Sequence, residues 1–491
     1  MNFRILCRLE SVILFALSLA FANSFAVALW FSHKGHDEGN AVWGFAVTLL
    51  ISLTLGIIFH LIGRTGSTKM FRKEALAVIG LGWLLASIMG AIPYWLILKH
   101  VGIADAIFES ASGFTTTGAS ILSNLEQIPY SLLYWRSLSQ WIGGLGVVVF
   151  FVAILSFLGS GAKILFSNES SAQHADLDSS RVQKGIYQLV YLYLGLSVLC
   201  TLTYKLCGLN WFESLNHMYT TLSTGGFSTR SASIAAFENP IFEWAVIFYM
   251  TLGGTSFVFI LRFLKREHNL WQRSTEVRYY LSIIVIATAL ISVFIYSEPG
   301  IQNPHGAIRH AAFQVVSIMT TTGYATKDFD IWLPATKIIL LILMVIGGCS
   351  GSTGGGIKVV RSIVGLRICQ RQVERAYRTR VVRPIFFNGK SLDSEASNSI
   401  MSFLVLMGFV TIIGVLLVSL YEPHMSVSGT ISATFACIFN IGPGFAEVGP
   451  SLNFNFLHDI TKIILSLLMI LGRLELYAVL ALFAPSLWKK F

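Results

Sequence analysis

Long, uninterrupted runs of apolar residues decide what this chain can fold into. Ten such runs lie near residues 9–31, 41–62, 74–97, 131–159, 185–207, 239–263, 279–297, 334–347, 399–420 and 459–485. A helix needs about 20 apolar residues to cross the hydrocarbon core of a bilayer, and most of the runs are that long. Because the runs are continuous rather than alternating, they predict transmembrane helices and exclude a β-barrel. With only 12% charged residues, the 491-residue chain is not a soluble, disordered or coiled-coil protein.

Positive charge is distributed unequally between the two sides of this predicted bundle. If the N-terminus is cytoplasmic, most of the 35 Lys and Arg lie on the cytoplasmic side, within residues 64–73, 163–184, 262–278, 358–390 and the two termini. Cytoplasmic loops of membrane proteins carry such an excess. We therefore expect a multi-pass protein with both termini in the cytoplasm, and the net charge of +10 needs no nucleic-acid partner. The first run resembles a signal peptide, but it continues to Trp30, which predicts an uncleaved helix.

Four short segments between the runs share one pattern. Each is a brief apolar stretch that ends in small polar residues and Gly, at residues 114–119, 220–227, 320–324 and 439–444. The repeating unit is therefore a span, a short helix, a polar loop and a second span, and two extra helices precede the first unit. The expected domains are a two-helix domain at 1–66 and four repeats at 67–160, 161–270, 271–385 and 386–491.

Such units have the chemistry of a cation pore. A short helix that ends inside the membrane directs its negative carbonyl end toward the centre. Four extended loops of Thr and Gly around an axis can align backbone carbonyls that replace the hydration shell of a cation. Glycine permits the unusual dihedral angles and the close approach of backbones that these loops require.

The four polar segments resemble the selectivity filters of the Trk/Ktr/HKT superfamily of K+ transporters, and the two extra helices make the chain most like its bacterial TrkH type. The resemblance covers essentially the whole chain. It implies an all-α integral membrane protein with four pseudo-repeated helix–pore-helix–filter-loop–helix units around one pore, plus two extra N-terminal transmembrane helices. The filter residues that it implies are Thr116, Thr117, Gly118, Ser223, Thr224, Gly225, Thr321, Thr322, Gly323, Asn440, Ile441 and Gly442.

The resemblance also implies an ion and an assembly. In the superfamily, Gly in all four filter segments goes with K+ selectivity and Ser in the first goes with Na+; the glycines here are Gly118, Gly225, Gly323 and Gly442. K+ is then the transported ion, and no organic cofactor is expected in this chain. The expected assembly is a homodimer in the bacterial inner membrane, regulated by a cytosolic, nucleotide-binding, TrkA-like ring.

A glycine-rich stretch at residues 347–356 interrupts the second span of the third repeat. It holds six Gly, each of which costs a helix about 1 kcal/mol relative to Ala. A phosphate-binding loop does not fit, because Lys358 comes one place late and no strand precedes it. A flexible connection between helices is one alternative; the preferred interpretation is an intramembrane gating loop beneath the filter, which the superfamily has at this place. The candidate gate residues are Gly347, Gly348, Ser350, Gly351, Ser352, Thr353, Gly354, Gly355, Gly356 and Arg473.

Arg473 and Glu475 are charged residues inside the otherwise apolar last span. Such charges are costly and usually face a cavity or a partner, and residues two apart on a helix do not face each other. From the superfamily's Gly-Arg-Leu-Glu stretch, Arg473 is expected to point into the pore below the filter; the alternative is a structural salt bridge to another helix. Glu109 and Glu213 lie near the starts of the short helices, where the helix dipole stabilises acids, and are expected to be structural.

Two other functions are compatible with a membrane location. A secondary transporter that couples K+ to H+ or Na+, as in symport, usually needs buried carboxylates in mid-span, and only Glu243 and Glu475 come near that description. An enzyme would need a nucleophile elbow, a metal motif or paired carboxylates, and the sequence has none. The six Cys and eleven His lack the spacing of a disulfide framework or a metal site. Gated K+ conduction, without catalytic residues, is therefore the preferred function.

Overall fold

The computed structural model describes residues 2–64, 72–157, 179–296, 303–378, 384–388 and 390–489, and within them the chain is mostly helical. Two long helices come first, α1 (Phe3–His33) and α2 (Gly39–Gly63), and they pack closely against each other. The expected domain boundaries at 66/67 and 160/161, and the basic residues Lys69 and Lys163, lie outside the described residues.

Four groups of helices follow, each with a long helix, a short helix and a second helix. The first is α3 (Arg72–Ile97), α4 (Ile103–Phe114) and α5 (Tyr130–Phe157). The second is α6 (Ser179–Leu206), α7 (Trp211–Leu222) and the pair α8 (Pro240–Gly253) and α9 (Phe257–Leu264), followed by the short α10 (Leu270–Arg273). The third is α11 (Thr275–Ile295), α12 (Pro304–Met319), α13 (Pro334–Ile346) and α14 (Val359–Tyr377).

A small hairpin separates the third group from the fourth. Its strands β1 (Ile385–Phe387) and β2 (Lys390–Leu392) are antiparallel, with Ile385 opposite Leu392. The fourth group is α15 (Ser394–Tyr421), α16 (Val427–Ile438), α17 (Asp459–Arg473), α18 (Tyr477–Leu482) and α19 (Pro485–Trp488). The expected boundaries at 270/271 and 385/386 therefore fall inside α10 and β1, and the division into domains stays a prediction.

Six described helices are individually long and apolar enough to span a membrane, namely α1, α2, α3, α6, α11 and α15, and the pair α8 and α9, bent by 100°, makes a possible seventh. The apolar runs at 334–347 and 459–485 give only 13 residues in α13 and 15 in α17. The glycine-rich stretch ends the first, and the left-handed Glu475 and Leu476 (φ 56° and 66°) end the second. The second helices of three groups are therefore broken. The sequence predicted the break in the third group, but it predicted single spans at 239–263 and 459–485.

Polar caps define where the four short helices begin. The side chains of Asn210, Asn303 and Ser426 each accept hydrogen bonds from backbone N–H groups in the first turns of α7, α12 and α16. At α4 the carboxylate of Asp105 instead accepts from the N–H of Gly102. These contacts satisfy donors that have no partner within the helix.

The packing of the groups is cyclic. The second helix of each group contacts the short helix of the next: α5 packs on α7, α8 on α12, α13 on α16, and α17 on α4. The last contact joins the fourth group to the first, so the four short helices surround one axis. One continuous apolar core, with Phe108, Trp135, Phe242 and Phe313 fully buried, runs through all four groups.

Candidate ion-conduction site

The loops that follow α4, α7, α12 and α16 have the same backbone conformation. In each, one non-glycine residue is left-handed: Thr116 (φ 54°), Thr224 (54°), Thr321 (61°) and Asn440 (57°). Two residues later each loop has a left-handed glycine, at Gly118 (83°), Gly226 (79°), Gly323 (82°) and Gly442 (103°). Positive φ is uncommon outside glycine, so its recurrence at one position in four loops identifies them as structural equivalents.

One hydrogen bond also recurs between each loop and its own short helix. The N–H groups of Thr117, Gly225, Thr322 and Ile441 each donate to the carbonyl five residues earlier, at 2.8–2.9 Å. By this criterion the second segment is Thr224-Gly225-Gly226, one residue later than the set Ser223-Thr224-Gly225 taken from the sequence. Ser223 lies instead at the end of α7, like Thr115 after α4. The sequence offered a signal for Gly226, since Gly226-Phe227 parallels Gly323-Tyr324.

The four loops touch one another in a closed order. A Cβ atom added to Gly118 would collide with the Gly225 carbonyl, one on Gly226 with the Thr322 carbonyl, and one on Gly323 with the Ile441 carbonyl. A Cβ on Gly442 would lie 2.8 Å from the Thr117 carbonyl oxygen. The fourth loop therefore contacts the first, which closes the ring. The glycines therefore permit a close approach of four backbones that any side chain would prevent.

The carbonyl groups of this ring are mostly free. Those of Thr117, Thr322 and Ile441 accept no hydrogen bond from any described residue. A buried carbonyl without a protein donor normally needs water or an ion as its partner. The Thr117 and Thr322 hydroxyls are hydrogen-bonded to those of Thr115 and Thr320, each at 2.7 Å, so these hydroxyls pair locally with the ends of their own short helices.

The glycine-rich segment 347–356 lies beside the ends of three short helices. The Thr353 hydroxyl is 2.9 Å from the Leu222 carbonyl, and the Gly355 N–H donates to the Thr321 hydroxyl at 2.6 Å. The Gly356 N–H donates to the Phe439 carbonyl at 3.1 Å. Ser350, Ser352 and Thr353 are all buried. The segment therefore contacts the ring from the side where the short helices end, and it is not an exposed connection.

The base of this segment is closed by backbone hydrogen bonds. The N–H groups of Ile357 and Lys358 donate to the carbonyls of Val345 and Ile346, and the carboxylate of Glu276 accepts from Ser350 and Val360. The ammonium of Lys358 donates to the Gly354 carbonyl. The structure thus ties both ends of the segment to α11, α13 and α14.

A model of the TrkH family, described as cation transport protein, matches residues 64–490. The chain belongs to the TrkH family. It is 32% identical to the Trk system potassium uptake protein TrkH of Halomonas elongata, with 100% of both chains covered, and 28% identical to the protein of the same name from Escherichia coli K12, again over 100% of both. The crystal structure of the potassium transporter TrkH from Vibrio parahaemolyticus superposes with a TM-score of 0.89 at 28% identity and covers 100% of both chains. Family membership makes the chain a transporter rather than an enzyme, and confirms the resemblance and the all-α membrane fold.

In this TrkH-family chain, Arg473 contacts the glycine-rich segment from the fourth group. Its guanidinium donates to the Thr353 carbonyl at 2.8 Å, and the side chain is buried. The other two guanidinium nitrogens, Nε and Nη2, have no hydrogen-bond partner among the described residues. Within the described residues Arg473 forms no salt bridge, so the alternative of a salt bridge to another helix finds no support there.

The acidic residues singled out from the sequence are all paired. Glu475 binds Arg361 at 2.5 Å rather than Arg473, in agreement with their spacing. Glu109 binds the buried Arg136 at 2.8 Å, and it also accepts from Ser120 and the Ile121 N–H. Glu213 pairs with Arg230. These pairs join neighbouring elements, which is consistent with structural roles for Glu109 and Glu213.

Proposed function

We propose that the chain is the K+-selective, ion-translocating membrane subunit of a Trk-type uptake system. The observation that carries this proposal is the closed ring of four loops, in which glycines bring backbones together and the carbonyls of Thr117, Thr322 and Ile441 lack a donor among the described residues. A cation that sheds its hydration shell needs such a set of oxygen ligands. The relatives named as potassium uptake proteins support K+ as the transported ion.

The proposed filter consists of the residues named from the sequence, with Gly226 in place of Ser223, which ends α7. Its glycines in structural register are Gly118, Gly226, Gly323 and Gly442. All four positions are glycine, which the superfamily resemblance links to K+ rather than Na+. Residue 225 stays in the filter, at the position that Thr117, Thr322 and Ile441 occupy in the other loops.

The glycine-rich segment is the proposed gate. It lies against the ends of α7, α12 and α16, and Arg473 holds its Thr353 carbonyl from α17. A segment with few side chains can leave such a position without dismantling a packed core. Its closed base, at Glu276 and Lys358, gives it a fixed point from which to move.

The proposed assembly is a homodimer in the inner membrane, with both termini in the cytoplasm and a cytosolic nucleotide-binding, TrkA-like ring as regulator. The names of the relatives refer to a Trk system, which supports a multi-component assembly. On the otherwise basic helix α14, Leu366, Val373 and Tyr377 expose more than half of their surface. Apolar side chains on an exposed basic helix are suited to contact with another protein chain.

Ion flux through the purified chain in liposomes tests the proposal. K+, Rb+, Na+ and Li+ are compared in the absence of any partner, with a membrane potential as the only driving force. We expect flux that favours K+ and Rb+. Equal flux of Na+ and K+ would contradict the filter, and no flux without a pH or Na+ gradient would favour a coupled carrier.

One observation keeps the coupled carrier as a second candidate. Glu10 in α1 is buried, and neither of its carboxylate oxygens has a hydrogen-bond partner among the described residues. Buried carboxylates in spanning helices often relay protons. Glu10 lies in the N-terminal pair of helices, however, and not in the ring. Coupling would appear as H+ movement that accompanies K+ and disappears in Glu10→Gln.

A further inference from the structure

The second filter segment differs chemically from the other three at one position. Thr117, Thr322 and Ile441 are β-branched, and the equivalent residue in the second segment is Gly225. β-branched side chains favour extended backbone and fill the space behind it, whereas glycine neither restrains its own dihedral angles nor fills that space. The second segment therefore lacks the feature that fixes the direction of the carbonyl at this position in the other three.

Another residue occupies the space where that side chain would be. A Cβ atom added to Gly225 would meet the side-chain amide of Gln140, and the three heavy atoms nearest to it all belong to Gln140. The backbone of Gly225 is not left-handed, so the nearest obstacle to a side chain there is Gln140 and not the backbone conformation. Gln140 comes from α5, which belongs to the first repeat.

The amide of Gln140 makes two hydrogen bonds to the second segment. Its Nε2 donates to the Gly225 carbonyl at 2.7 Å, and its Oε1 accepts from the Phe227 N–H at 3.1 Å. The side chain is fully buried. One turn earlier on α5, Arg136 donates to the Ser228 carbonyl at 3.0 Å and lies over the Phe227 ring. One face of α5 therefore holds the whole stretch from Gly225 to Ser228.

We propose that Gln140 is a positioning residue that determines ion specificity by replacing the missing β-branched side chain of the second filter segment. The inference rests on the proposed function, because it assigns Gln140 to the same filter. A carbonyl oxygen has two lone pairs. The amide of Gln140 binds one lone pair of the Gly225 carbonyl oxygen and thereby fixes the direction of the second lone pair. The second lone pair stays available to the ion. Without this contact, the Gly225 carbonyl turns freely and discriminates less between ions of different radius.

The test measures K+/Na+ and K+/Rb+ flux ratios in liposomes for the full chain. Gln140→Leu and Gln140→Met both remove the amide, so neither variant has a donor for the Gly225 carbonyl. We expect each to lower the K+/Na+ ratio by about tenfold. Methionine has the same unbranched length as glutamine, so Gln140→Met decides the question if Gln140→Leu does not fold.

Gln314 provides the matched control. It is also fully buried, and its amide donates to the Lys327 carbonyl at 3.3 Å, outside the ring of filter loops. Gln314→Leu is expected to change the melting temperature as Gln140→Leu does, but to leave the flux ratio within about twofold of wild type. A lower ratio in Gln314→Leu would show that any buried glutamine affects selectivity and would overturn the specific role of Gln140.

A compensating pair makes the test sharper. Gly225→Thr alone places a side chain against Gln140 and should lower the K+/Na+ ratio. Gln140→Ala makes room for the side chain that Gly225→Thr adds, so the second segment then has a β-branched residue like the other three. For this double variant we expect a ratio within about threefold of wild type. A folded Gln140→Met with wild-type ratios, or a double variant no better than Gly225→Thr, would overturn the inference. A wild-type chain that does not prefer K+ would instead contradict the proposed function.

Discussion

The guanidinium of Arg473 donates a hydrogen bond to the carbonyl oxygen of Thr353 over 2.8 Å. Arg473 ends α17 in the fourth group, and Thr353 lies in the middle of the glycine-rich segment of the third. The Thr353 side chain in turn contacts the carbonyls of Leu222 and Gly253 in the second group. One residue of the segment is thereby held by two neighbouring groups, which makes this contact the first to test for gating.

Arg473→Ala should raise potential-driven K+ flux in the absence of any partner. A hydrogen bond to a charged group contributes about 1.5–3 kcal/mol, so its loss should favour the open segment by roughly tenfold or more. Arg473→Gln separates the two roles of the residue, because it keeps a donor for Thr353 without the charge. Rb+ uptake into liposomes measures both variants. Lower flux in Arg473→Ala than in wild type would contradict a closing role.

Gly118→Ser should reduce the preference for K+ over Na+. Gly118 is left-handed (φ 83°), and an added Cβ would collide with the Gly225 carbonyl, so one of the ring's carbonyl positions must shift. We expect the K+/Na+ flux ratio to fall by about tenfold, which corresponds to about 1.4 kcal/mol of discrimination. Gly195→Ser on α6, where a Cβ meets nothing within 4 Å, is the control. Unchanged selectivity in Gly118→Ser would argue against Gly118 as a filter residue.

The sequence predicted the helical membrane fold for two reasons. The length of the apolar runs follows from the thickness of the bilayer, and the distribution of Lys and Arg in the loops follows from its two different sides. The four polar segments were visible for a similar reason, since each needs glycine at a left-handed position. Their register was less visible: two adjacent glycines, Gly225 and Gly226, both satisfy the sequence pattern. The backbone dihedral angles and hydrogen bonds of the folded chain distinguish them.

Other features depend on contacts between residues far apart in the chain, which no local pattern contains. Gln140 is one of several polar residues on α5, and nothing in its spacing indicates that it reaches a loop 85 residues later. The break between α17 and α18 was hidden for a different reason. Leu474 to Leu476 are apolar apart from Glu475, yet two of them are left-handed in the structure.

Breaking the Glu109–Arg136 pair should destabilise the fold. Both side chains are buried, so Arg136→Met leaves a carboxylate without its countercharge, at a cost of about 3–5 kcal/mol. Thermal unfolding of the chain in detergent measures the effect. Lys337→Met is the control, because the Lys337–Asp330 pair is partly exposed and should contribute only about 0–1 kcal/mol. A double variant, Glu109→Leu with Arg136→Met, should recover part of the loss; equal stability of Arg136→Met and wild type would refute the argument.

Glu475→Gln should leave potential-driven K+ flux dependent on the K+ gradient alone. Glu475 is paired with Arg361 at 2.5 Å, so its carboxylate neutralises a cation and does not stand free to carry protons. Flux is measured with and without an imposed pH gradient, together with the pH inside the liposomes. Coupling would be revealed by H+ movement in the wild type that is lost in the variant. Arg361→Met should show the same flux behaviour as Glu475→Gln, since both variants break one pair.

Deletion of residues 351–355 should raise basal conductance. The deleted residues include those that Arg473 and Thr321 hold, while the base of the segment stays in place, because Gly347 lies directly against Gly356 and Ile357 still donates to the Val345 carbonyl. The shorter connection cannot reach the ends of α7 and α12, so the path below the ring is left open. Rb+ uptake without a partner, normalised to the amount of folded protein, measures the change. The K+/Na+ ratio should stay at the wild-type value because the ring is intact. A folded deletion variant with flux at or below wild type would show that the segment supports conduction rather than closing the pore.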